Sequence, residues 1–544
     1  MHSFPHTRRT FIQQIAALSA ISLSGRGLLR SAESEAIAPL RSSMDRAAKC
    51  CLAWLNPDQE WLPTGGYEIA HDTGRWWDAM LRYEAATRSL VIPEQIEAAM
   101  MKNLGSLTDN PAALLMNTAR LPGPAEKIKV NPHNLRETML AYTALVRYRK
   151  SDWAWTQGHK LLKTIEGTLD PDGQMDYQAL ATVAGGPLTV DPLMIQRSPV
   201  GEWFNATATT GRALEAIVWF HGATGDPLAL KLAQRLAAVH LRQTIDPAGA
   251  VRAELRDPSH IGHTHSYCGT LRGLLLYGLI SGEKQYVDAV AATYRHGLWG
   301  SAISHSGWTP HDQGKSRFHN PDGDPVGEHA SCGDVAQIAL WLAMLAGQTD
   351  LLDDVERLIR ARLLPSQIVD EKQPRRDGAW GVYAHPFGYG AILDVFAAVL
   401  HSLADFHEHA VTTTREGMVS VNLHFDAETP AVQVTAKRDT KATLTIVPKQ
   451  SCDLRIRVPG WATREAVQLS VADKPVPLNW DGAFLVLARK EVVVGSPVTL
   501  QYELPLHETA EVMPVSHLSF RLNWRGDEVI ACEPKVPIYG SVGK

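Results

Sequence analysis

Two apolar segments joined by a Gly-Asp turn decide the fold: Leu214-Glu-Ala-Ile-Val-Trp-Phe-His-Gly-Ala-Thr-Gly-Asp226 and Leu228-Ala-Leu-Lys-Leu-Ala-Gln-Arg-Leu-Ala237. The same order of helix, turn and helix returns from Leu271 to Tyr294 and from Ile338 to Leu363. Apolar residues in these segments recur at intervals of three and four, which is helical periodicity. The pattern therefore predicts a repeated helical hairpin.

The spacing of the turns predicts the number of hairpins. The turns at Asp226, Glu283 and Asp350 lie 57 and 67 residues apart, and such periods are typical of helix-pair arrays. The helical region, residues 45–408, has room for six hairpins of about 60 residues each. Six is the number that closes an (α/α)6 toroid. An open solenoid, which usually has shorter repeats, is the alternative.

A different pattern begins after Val411. Segments such as Ala431-Val-Gln-Val-Thr-Ala436 and Ala442-Thr-Leu-Thr-Ile-Val447 alternate with a period of two, and Gly, Pro, Asn and Asp separate them. This alternation is typical of an antiparallel β-sandwich. We assign residues 415–510 to that domain and residues 511–544 to a C-terminal extension with no clear pattern.

The overall composition is that of a folded protein. The chain has 544 residues, of which 45% are hydrophobic and 20% charged, and this balance excludes a disordered or collagen-like protein. The net charge of −5 argues against a nucleic-acid partner, because nucleic-acid-binding domains carry a basic face. Six Cys are too few for a disulfide scaffold in so long a chain. No apolar run reaches the length of a membrane span.

The first 31 residues have the features of a twin-arginine export signal. Arg8-Arg9 precede a short apolar stretch from Ile15 to Leu23, and no acidic residue occurs before Glu33. We therefore expect a periplasmic or extracellular protein. Proteins exported by this route fold in the cytoplasm, often around a metal or cofactor, so the signal also favours a bound metal.

Unusual polar residues occur in the loops that would form the cleft of a toroid. The stretch 260–329 holds eight His, and Trp (15) outnumbers both Tyr (13) and Phe (11) in the chain. Aromatic faces stack on the C–H surfaces of sugars, while carboxylates, amides and Arg bind hydroxyls, so this mixture predicts a glycan substrate. The candidate substrate-binding residues are His71, Asp72, Arg75, Trp76, His133, Asn134, Glu202, His263, His265 and Trp308.

Some of these candidates also have a purely structural interpretation. Trp76 could be a core residue of the first helix, His133 and Asn134 could cap a helix, and Glu202 could be a solvated loop residue. Glu328 and Cys332 stand at positions i and i+4 of one helix face and could hold a metal. A lone buried Cys, however, is usually an inert small hydrophobe.

Five motifs carry a resemblance to a known family: His263-Thr-His265, Gly307-Trp-Thr-Pro310, Gly327-Glu-His-Ala-Ser-Cys-Gly-Asp334, Asp353-Asp-Val-Glu-Arg357 and Leu454-Arg-Ile-Arg-Val-Pro-Gly-Trp461. Together they resemble glycoside hydrolase family 127, the β-L-arabinofuranosidase-like group. The resemblance covers residues 45–505. It implies an (α/α)6 catalytic domain followed by β-sandwich domains. It also implies a glycosidase that removes terminal sugars from plant- or algal-type glycans.

The resemblance further implies a zinc site of one Glu and three Cys, with a zinc-bound thiolate as nucleophile and a second Glu as acid/base. Glu328 resembles the zinc-ligand Glu, and Asp312 resembles the acid/base, with Asp in place of Glu. The chain departs from the pattern at Ala330, where a Cys is expected, and at Ala384-His385-Pro386, where a Cys-Cys pair is expected. Without the late thiolate, the double displacement of the family lacks its nucleophile.

Two hydrolytic chemistries stay open at this point. A rebuilt metal site could use Glu328, Cys332 and His385, a mixed ligand set that zinc accepts. Alternatively, a metal-free hydrolase could use Asp312 and Glu328 as acid and base, as inverting glycosidases do.

Two other functions also stay open. A lyase for uronic-acid glycans could bind the uronate with Arg75, Arg136 and Arg197 while a His or Tyr abstracts the adjacent proton. A non-catalytic relative would bind glycans without turning them over.

Overall fold

The computed structural model describes residues 39–539 except 65–66, 118–128, 189–194, 199–200, 205, 253–255, 257–260 and 384–390. The predicted export signal, residues 1–31, lies outside the described residues. The helices are α1 (Pro39–Ala53), α2 (Ile69–Thr87), α3 (Glu94–Leu107), α4 (Asn134–Arg149), α5 (Asp152–Thr168), α6 (Tyr177–Ala184), α7 (Thr210–Thr224), α8 (Pro227–Gln243), α9 (Thr264–Ser281), α10 (Lys284–Ala292), α11 (His329–Ala346), α12 (Leu352–Leu358) and α13 (Leu393–Ala410).

The helices form two concentric layers. The inner layer consists of α2, α4, α7, α9, α11 and α13, and each packs against the inner helices before and after it. The last inner helix, α13, packs against the first, α2, so the ring is closed. The outer helices α3, α5, α8, α10 and α12 each pack on the inner helix that precedes them, and α1 packs on α13. The predicted (α/α)6 toroid is therefore confirmed.

The repeated Gly-Asp motif joins an inner helix to an outer one. Gly225 ends α7 with a left-handed backbone (φ 72°), and its N–H donates to the carbonyl of His221. A glycine is favoured here because a side chain strains this conformation. Asp226 then caps α8, since its carboxylate accepts hydrogen bonds from the N–H groups of Leu228 and Ala229. The motif is thus a helix C-cap followed directly by a helix N-cap.

Close approach of the inner helices depends on glycine. A Cβ atom added to Gly74 of α2 would lie 2.7 Å from the backbone oxygen of Glu137 in α4. A Cβ on Gly273 of α9 would lie 2.8 Å from the backbone nitrogen of Glu215 in α7. Neither backbone atom can move without its helix, so these two glycines set the spacing within the ring.

The strands are short in the helical part and longer after it. They are β1 (Leu55–Asn56), β2 (Leu62–Pro63), β3 (Ile195–Ser198), β4 (Gly201–Phe204), β5 (Ile261–His263), β6 (Asp312–Gly314), β7 (Gly327–Glu328), β8 (Val382–Tyr383), β9 (Val411–Thr413), β10 (Met418–Val421), β11 (Ala427–Glu428), β12 (Val432–Arg438), β13 (Lys441–Pro448), β14 (Asp453–Arg457), β15 (Gln468–Val471), β16 (Lys474–Pro475), β17 (Trp480–Asp481), β18 (Phe484–Leu487), β19 (Val498–Glu503), β20 (Leu506–Val512), β21 (Ser519–Arg525) and β22 (Glu528–Glu533).

Two sheets form the β-sandwich. Their strand orders are β17-β18-β14-β10-β9 and β11-β12-β13-β19-β15-β16. Inward-facing side chains such as Ile456, Leu485, Leu444 and Leu500 form a separate hydrophobic core. The sandwich that the alternating pattern predicted is therefore present. One pair departs from the predicted antiparallel arrangement, because β10 and β14 are parallel.

A third sheet, with strand order β20-β21-β22, follows the sandwich. It begins at Leu506, so the end of the range assigned to the sandwich, 415–510, belongs instead to this sheet. Its core includes Phe520 and Trp524 and packs against Ala361, just beyond α12. The hydroxyl of Tyr539 donates to the Ala361 carbonyl at 2.5 Å. The C-terminal segment thus packs on the toroid.

Buried charges join the sandwich to the toroid. Arg457 of β14 forms ion pairs with Asp353 and Glu356 of α12. Over the described part of the chain, no helix combines the length and the apolar character that crossing a membrane would require.

Candidate active site

The candidate residues lie at the end of the toroid where the inner helices begin. His71 and Asp72 lie in the first turn of α2, and Asn134 begins α4. His263 and Glu328 are the N-cap residues of α9 and α11. All five are buried. Because the inner helices share one orientation in the ring, residues far apart in sequence meet at one mouth.

Neutral histidines line this mouth. The rings of His71 and His133 stack with centroids 5.3 Å apart, and those of His263 and His311 lie 4.8 Å apart. The Nδ1 of His71 donates to Asn134 Oδ1 at 3.0 Å. Burial lowers the pKa of His71 to about 3 and holds the pKa values of His133 and His263 well below the ordinary value.

Below the histidines, arginines and carboxylates alternate along the axis. Arg75 Nε lies 3.1 Å from Glu137 Oε1, and Arg212 Nη2 donates to the same oxygen at 2.6 Å. Arg75 Nη2 also lies 2.6 Å from His265 Nε2, while His265 Nδ1 lies 2.5 Å from Asp334 Oδ2. Burial would raise the pKa of Glu137, but Arg212 and the charges around it hold that pKa well below its ordinary value.

Within the described part of the chain, several buried atoms here have no hydrogen-bond partner. They are Asp72 Oδ1, Glu137 Oε2, Arg212 Nε and Asp394 Oδ1. Buried polar groups are normally satisfied, because an unmade hydrogen bond inside a protein is costly. These atoms along the axis are therefore open to hydrogen bonds with water or with a polar ligand.

Glu328 is a carboxyl group whose pKa is raised, so its protonated form persists to higher pH than that of an ordinary carboxyl. Its Oε2 accepts a hydrogen bond from Ser331 at 2.9 Å and lies 3.7 Å from His263 Nε2. Burial raises the pKa of Glu328 above its ordinary value. A carboxyl group of this kind can serve as a general acid.

The surroundings of Asp312, unlike those of Glu328, favour the ionised form of the carboxyl group. Its carboxylate accepts hydrogen bonds from Arg317 Nη2 (2.8 Å), Nε (3.1 Å) and backbone N–H (3.0 Å), and His311 Nδ1 lies 3.0 Å from Oδ1. Burial opposes ionisation, but His311 and Arg317 hold the pKa of Asp312 well below its ordinary value. A carboxyl group with a lowered pKa accepts a proton less readily, so Asp312 is better suited to orient His311 than to donate a proton, and its catalytic role stays a prediction.

The zinc site that the family resemblance implies does not fit this chain. Ala330 supplies no ligand, and burial raises the pKa of the Cys332 thiol to about 12, so without a bound metal this thiol is not a thiolate nucleophile. The part of Cys332 in a rebuilt metal site stays a prediction. His385 lies outside the described residues. Within the described residues, the grouping with metal-ligand spacing is instead His263, His311 and Asp312.

Two aromatic candidates lie away from the mouth. Trp76 is fully buried, and its indole N–H donates to the Cys51 carbonyl of α1 at 3.2 Å, so it is a core residue. Trp308 packs against the core of the third sheet. Trp76 was predicted to bind substrate, and aromatic packing between layers explains it instead. Trp308 is only partly buried and lines a groove, so its contact with substrate stays a prediction. Glu202 lies in β4, but its side chain is outside the described part of the structure.

Two of the three arginines expected to bind a uronate in a lyase form ion pairs with buried carboxylates. Arg75 contacts Glu137, and Arg136 lies 3.3 Å from Glu215 Oε2. These two guanidinium groups are already neutralised by buried carboxylates, so they are poorly placed to bind an acidic sugar. The side chain of Arg197 is outside the described part of the structure.

Sequence reasoning missed three residues of the site and counted a fourth, His311, only among the eight His of residues 260–329. Arg212 and Asp394 lie in the first turns of inner helices, and His311 and Arg317 flank Asp312. Arg212 and Asp394 could have been predicted from the sequence, because a charged residue at the start of an apolar inner helix faces the axis of the toroid. No sequence pattern marks Arg317, because a single Arg in a loop is common.

A groove of about 1080 Å³ reaches Asp312 from the outside of the toroid. Its walls include Trp299, Trp308, Arg357 and Glu511, and one side is the β20 strand of the third sheet. This volume and mixture of aromatic and polar side chains suit a ligand larger than one sugar ring.

No protein-family model matches the sequence, and a comparison with curated proteins finds no match. Solved structures do share the fold. A protein described as a glycoside hydrolase aligns with a TM-score of 0.57 and 14% identity, over 89% of this chain and 80% of that chain.

Two enzymes of glycoside hydrolase family 127 also have a structure similar to that of this chain. The β-L-arabinofuranosidase Ara127N of Geobacillus stearothermophilus T6 has a TM-score of 0.56 and 12% identity, over 90% of this chain and 80% of its own. A second GH127 β-arabinofuranosidase has a TM-score of 0.57 and 13% identity, over 95% of this chain and 82% of that chain. At these identities the likeness establishes the fold, and it is the fold that the resemblance implied.

Proposed function

We propose that the chain is a glycoside hydrolase whose catalytic centre is Glu328 and the His311–Asp312 pair. The observation that carries the proposal is the contrast between the two buried carboxyl groups. Glu328 is held towards its protonated form, and Asp312 is held ionised by Arg317 and His311. Both border the ring of His263, so a proton donor and an ionised carboxylate face the same part of the mouth.

The proposed mechanism is a single displacement by water. His311 donates its Nδ1–H to Asp312, which leaves Nε2 free to accept a proton. His311 Nε2 takes a proton from water as the oxygen attacks the anomeric carbon. The glycosidic C–O bond breaks, and Glu328 gives its proton to the leaving oxygen. This route inverts the anomeric configuration and needs no thiolate nucleophile.

We further propose terminal sugars of plant- or algal-type glycans as substrate, with β-L-arabinofuranosides as the first to try. The support is the motif resemblance and the shared fold with two enzymes described as arabinofuranosidases. The groove beside Asp312 offers room for the rest of the glycan. Export through the predicted twin-arginine signal would bring the enzyme to such polymers.

The test is a screen of aryl glycosides and uronic-acid polymers, followed by substitution of the two carboxyl groups. Glu328→Gln and Asp312→Asn are each expected to lower kcat by at least ~100-fold, because one removes the proton donor and the other the partner that orients His311. Glu371→Gln and Asp172→Asn, at exposed positions, are the matched controls and should keep wild-type rates.

Near-normal kcat in both Glu328→Gln and Asp312→Asn would contradict the assignment. A rise in ultraviolet absorbance on a uronic-acid polymer would show an unsaturated product and so a lyase. Saturable glycan binding without any product would show a binding protein.

A further inference from the structure

His263, His311 and Asp312 are residues of the kinds that bind a metal ion. The positively charged guanidinium of Arg317 already contacts two of them, His311 and Asp312. One ligand atom from each of the three buried residues lies within 4.8 Å of the others. Two imidazoles and a carboxylate are ligands that zinc and related divalent ions accept. A fourth donor is close, since Glu328 Oε2 lies 3.7 Å from His263 Nε2.

The guanidinium of Arg317 lies against this group. Its Nη2 lies 2.8 Å from Asp312 Oδ1 and 3.2 Å from His311 Nδ1, and its Nε lies 3.1 Å from Asp312 Oδ2. The Asp312 side chain is fully buried, whereas that of Arg317 is 18% exposed. Arg317 therefore reaches in from the surface and neutralises a carboxylate that has no access to solvent.

A metal ion and this guanidinium would compete for the same electron pairs. A divalent ion needs the Asp312 oxygens and an imidazole nitrogen at about 2.0–2.2 Å. In this chain those carboxylate oxygens already accept hydrogen bonds from Arg317. Arginine keeps its charge at every pH of interest, so it does not leave the site by losing a proton.

We propose that Arg317 takes the place of a divalent cation in this group, so that the wild-type protein binds no metal there. Removing the guanidinium would leave a buried, negatively charged carboxylate beside two imidazoles, and such a group gains from binding a cation. In this proposal a side chain occupies the place that a dissociable metal ion would take. This inference concerns the three ligand residues and Arg317 alone, and it holds whether or not the chain hydrolyses glycosides.

The test is Co²⁺ binding to the full-length protein, followed by titration calorimetry and by the visible absorption of bound Co²⁺. Arg317→Met, which keeps the length and the apolar stem of the side chain, is expected to bind one Co²⁺ at least ~100-fold more tightly than wild type. Arg317→Lys keeps a cation and should stay like wild type. Arg317→Met combined with His311→Ala should lose the gain, because one ligand is missing.

Two results would overturn the proposal. One is stoichiometric Co²⁺ binding by the wild type that His263→Ala abolishes, since the site would then hold a metal beside Arg317. The other is a folded Arg317→Met protein, judged by circular dichroism, that binds Co²⁺ no better than wild type. Should Arg317→Met not fold, Arg317→Gln replaces it with the same expected gain, because the amide is neutral.

Discussion

Glu328 and Asp312 show how surroundings divide two similar side chains between two roles. Both are buried and lie sixteen residues apart in the sequence. Glu328 has a neutral donor, Ser331, as its hydrogen-bond partner, whereas Asp312 has the charged Arg317. Burial without a countercharge raises a carboxyl pKa, and a guanidinium at hydrogen-bond distance lowers it. In the proposed mechanism, the difference in environment, and not the residue type, makes Glu328 the proton donor.

This difference predicts the pH dependence of the reaction. Catalysis needs Glu328 protonated, and its pKa lies above the ordinary value of 4.5. Activity is therefore retained above pH 4.5 and falls as the pH rises through the pKa of Glu328. The pH profile of kcat/KM is the measurement, and Glu328→Gln should remove this alkaline fall from the residual activity. An unchanged fall in that variant would assign the titration to another group.

Several individual residues of the site could be predicted from the sequence. Glu328, His71, His133, His263 and His265 were predicted from loop chemistry and motif resemblance, and the structure brings them to one mouth. The role of Asp312 could not be predicted, because its pKa depends on a contact with Arg317 that only folding of the loop creates. The aromatic candidate Trp76 failed because an indole packs equally well in a core or on a sugar.

The inner helices are the elements that build the site. Each begins with polar or charged residues, such as Arg75 in α2, Arg212 in α7 and Asp334 in α11, and continues as an apolar helix. Periodicity predicted the helices and their number, since apolar spacing and Gly-Asp turns are local signals. The ion network along the axis could not be predicted in detail, because its partners come from different helices.

Close packing of this ring predicts a strong effect at one glycine. Gly74→Ala should lower the free energy of unfolding by about 1–3 kcal/mol, because the new Cβ would meet the backbone of Glu137 and push α2 from α4. Gly105→Ala in α3 is the matched control, since nothing lies within 4 Å of its added Cβ. It should be neutral or stabilising by up to about 1 kcal/mol.

Urea unfolding of both variants measures the difference in free energy. Equal stability of Gly74→Ala and wild type would mean that the inner helices are not held at this spacing.

The whole molecule shows why composition was a useful guide to the site's location. Twelve of the 15 Trp lie between residues 54 and 380, in or near the toroid. Some of them lie in its core, as Trp76 and Trp380 do, and others line the groove beside Asp312, as Trp299 and Trp308 do. The third sheet escaped prediction because its strands pack against a distant part of the chain, near Ala361, and such long-range contacts leave no local pattern.

The central claim for the molecule is that Glu328 protonates the leaving oxygen of a glycoside at the mouth of the toroid. It is tested most directly by comparing wild type and Glu328→Gln on two aryl glycosides of the same sugar. A phenyl leaving group needs protonation, whereas a dinitrophenyl group leaves readily without it. We predict a loss in kcat/KM of at least ~100-fold on the phenyl glycoside and under ~10-fold on the dinitrophenyl glycoside. Equal losses on the two substrates would contradict the account.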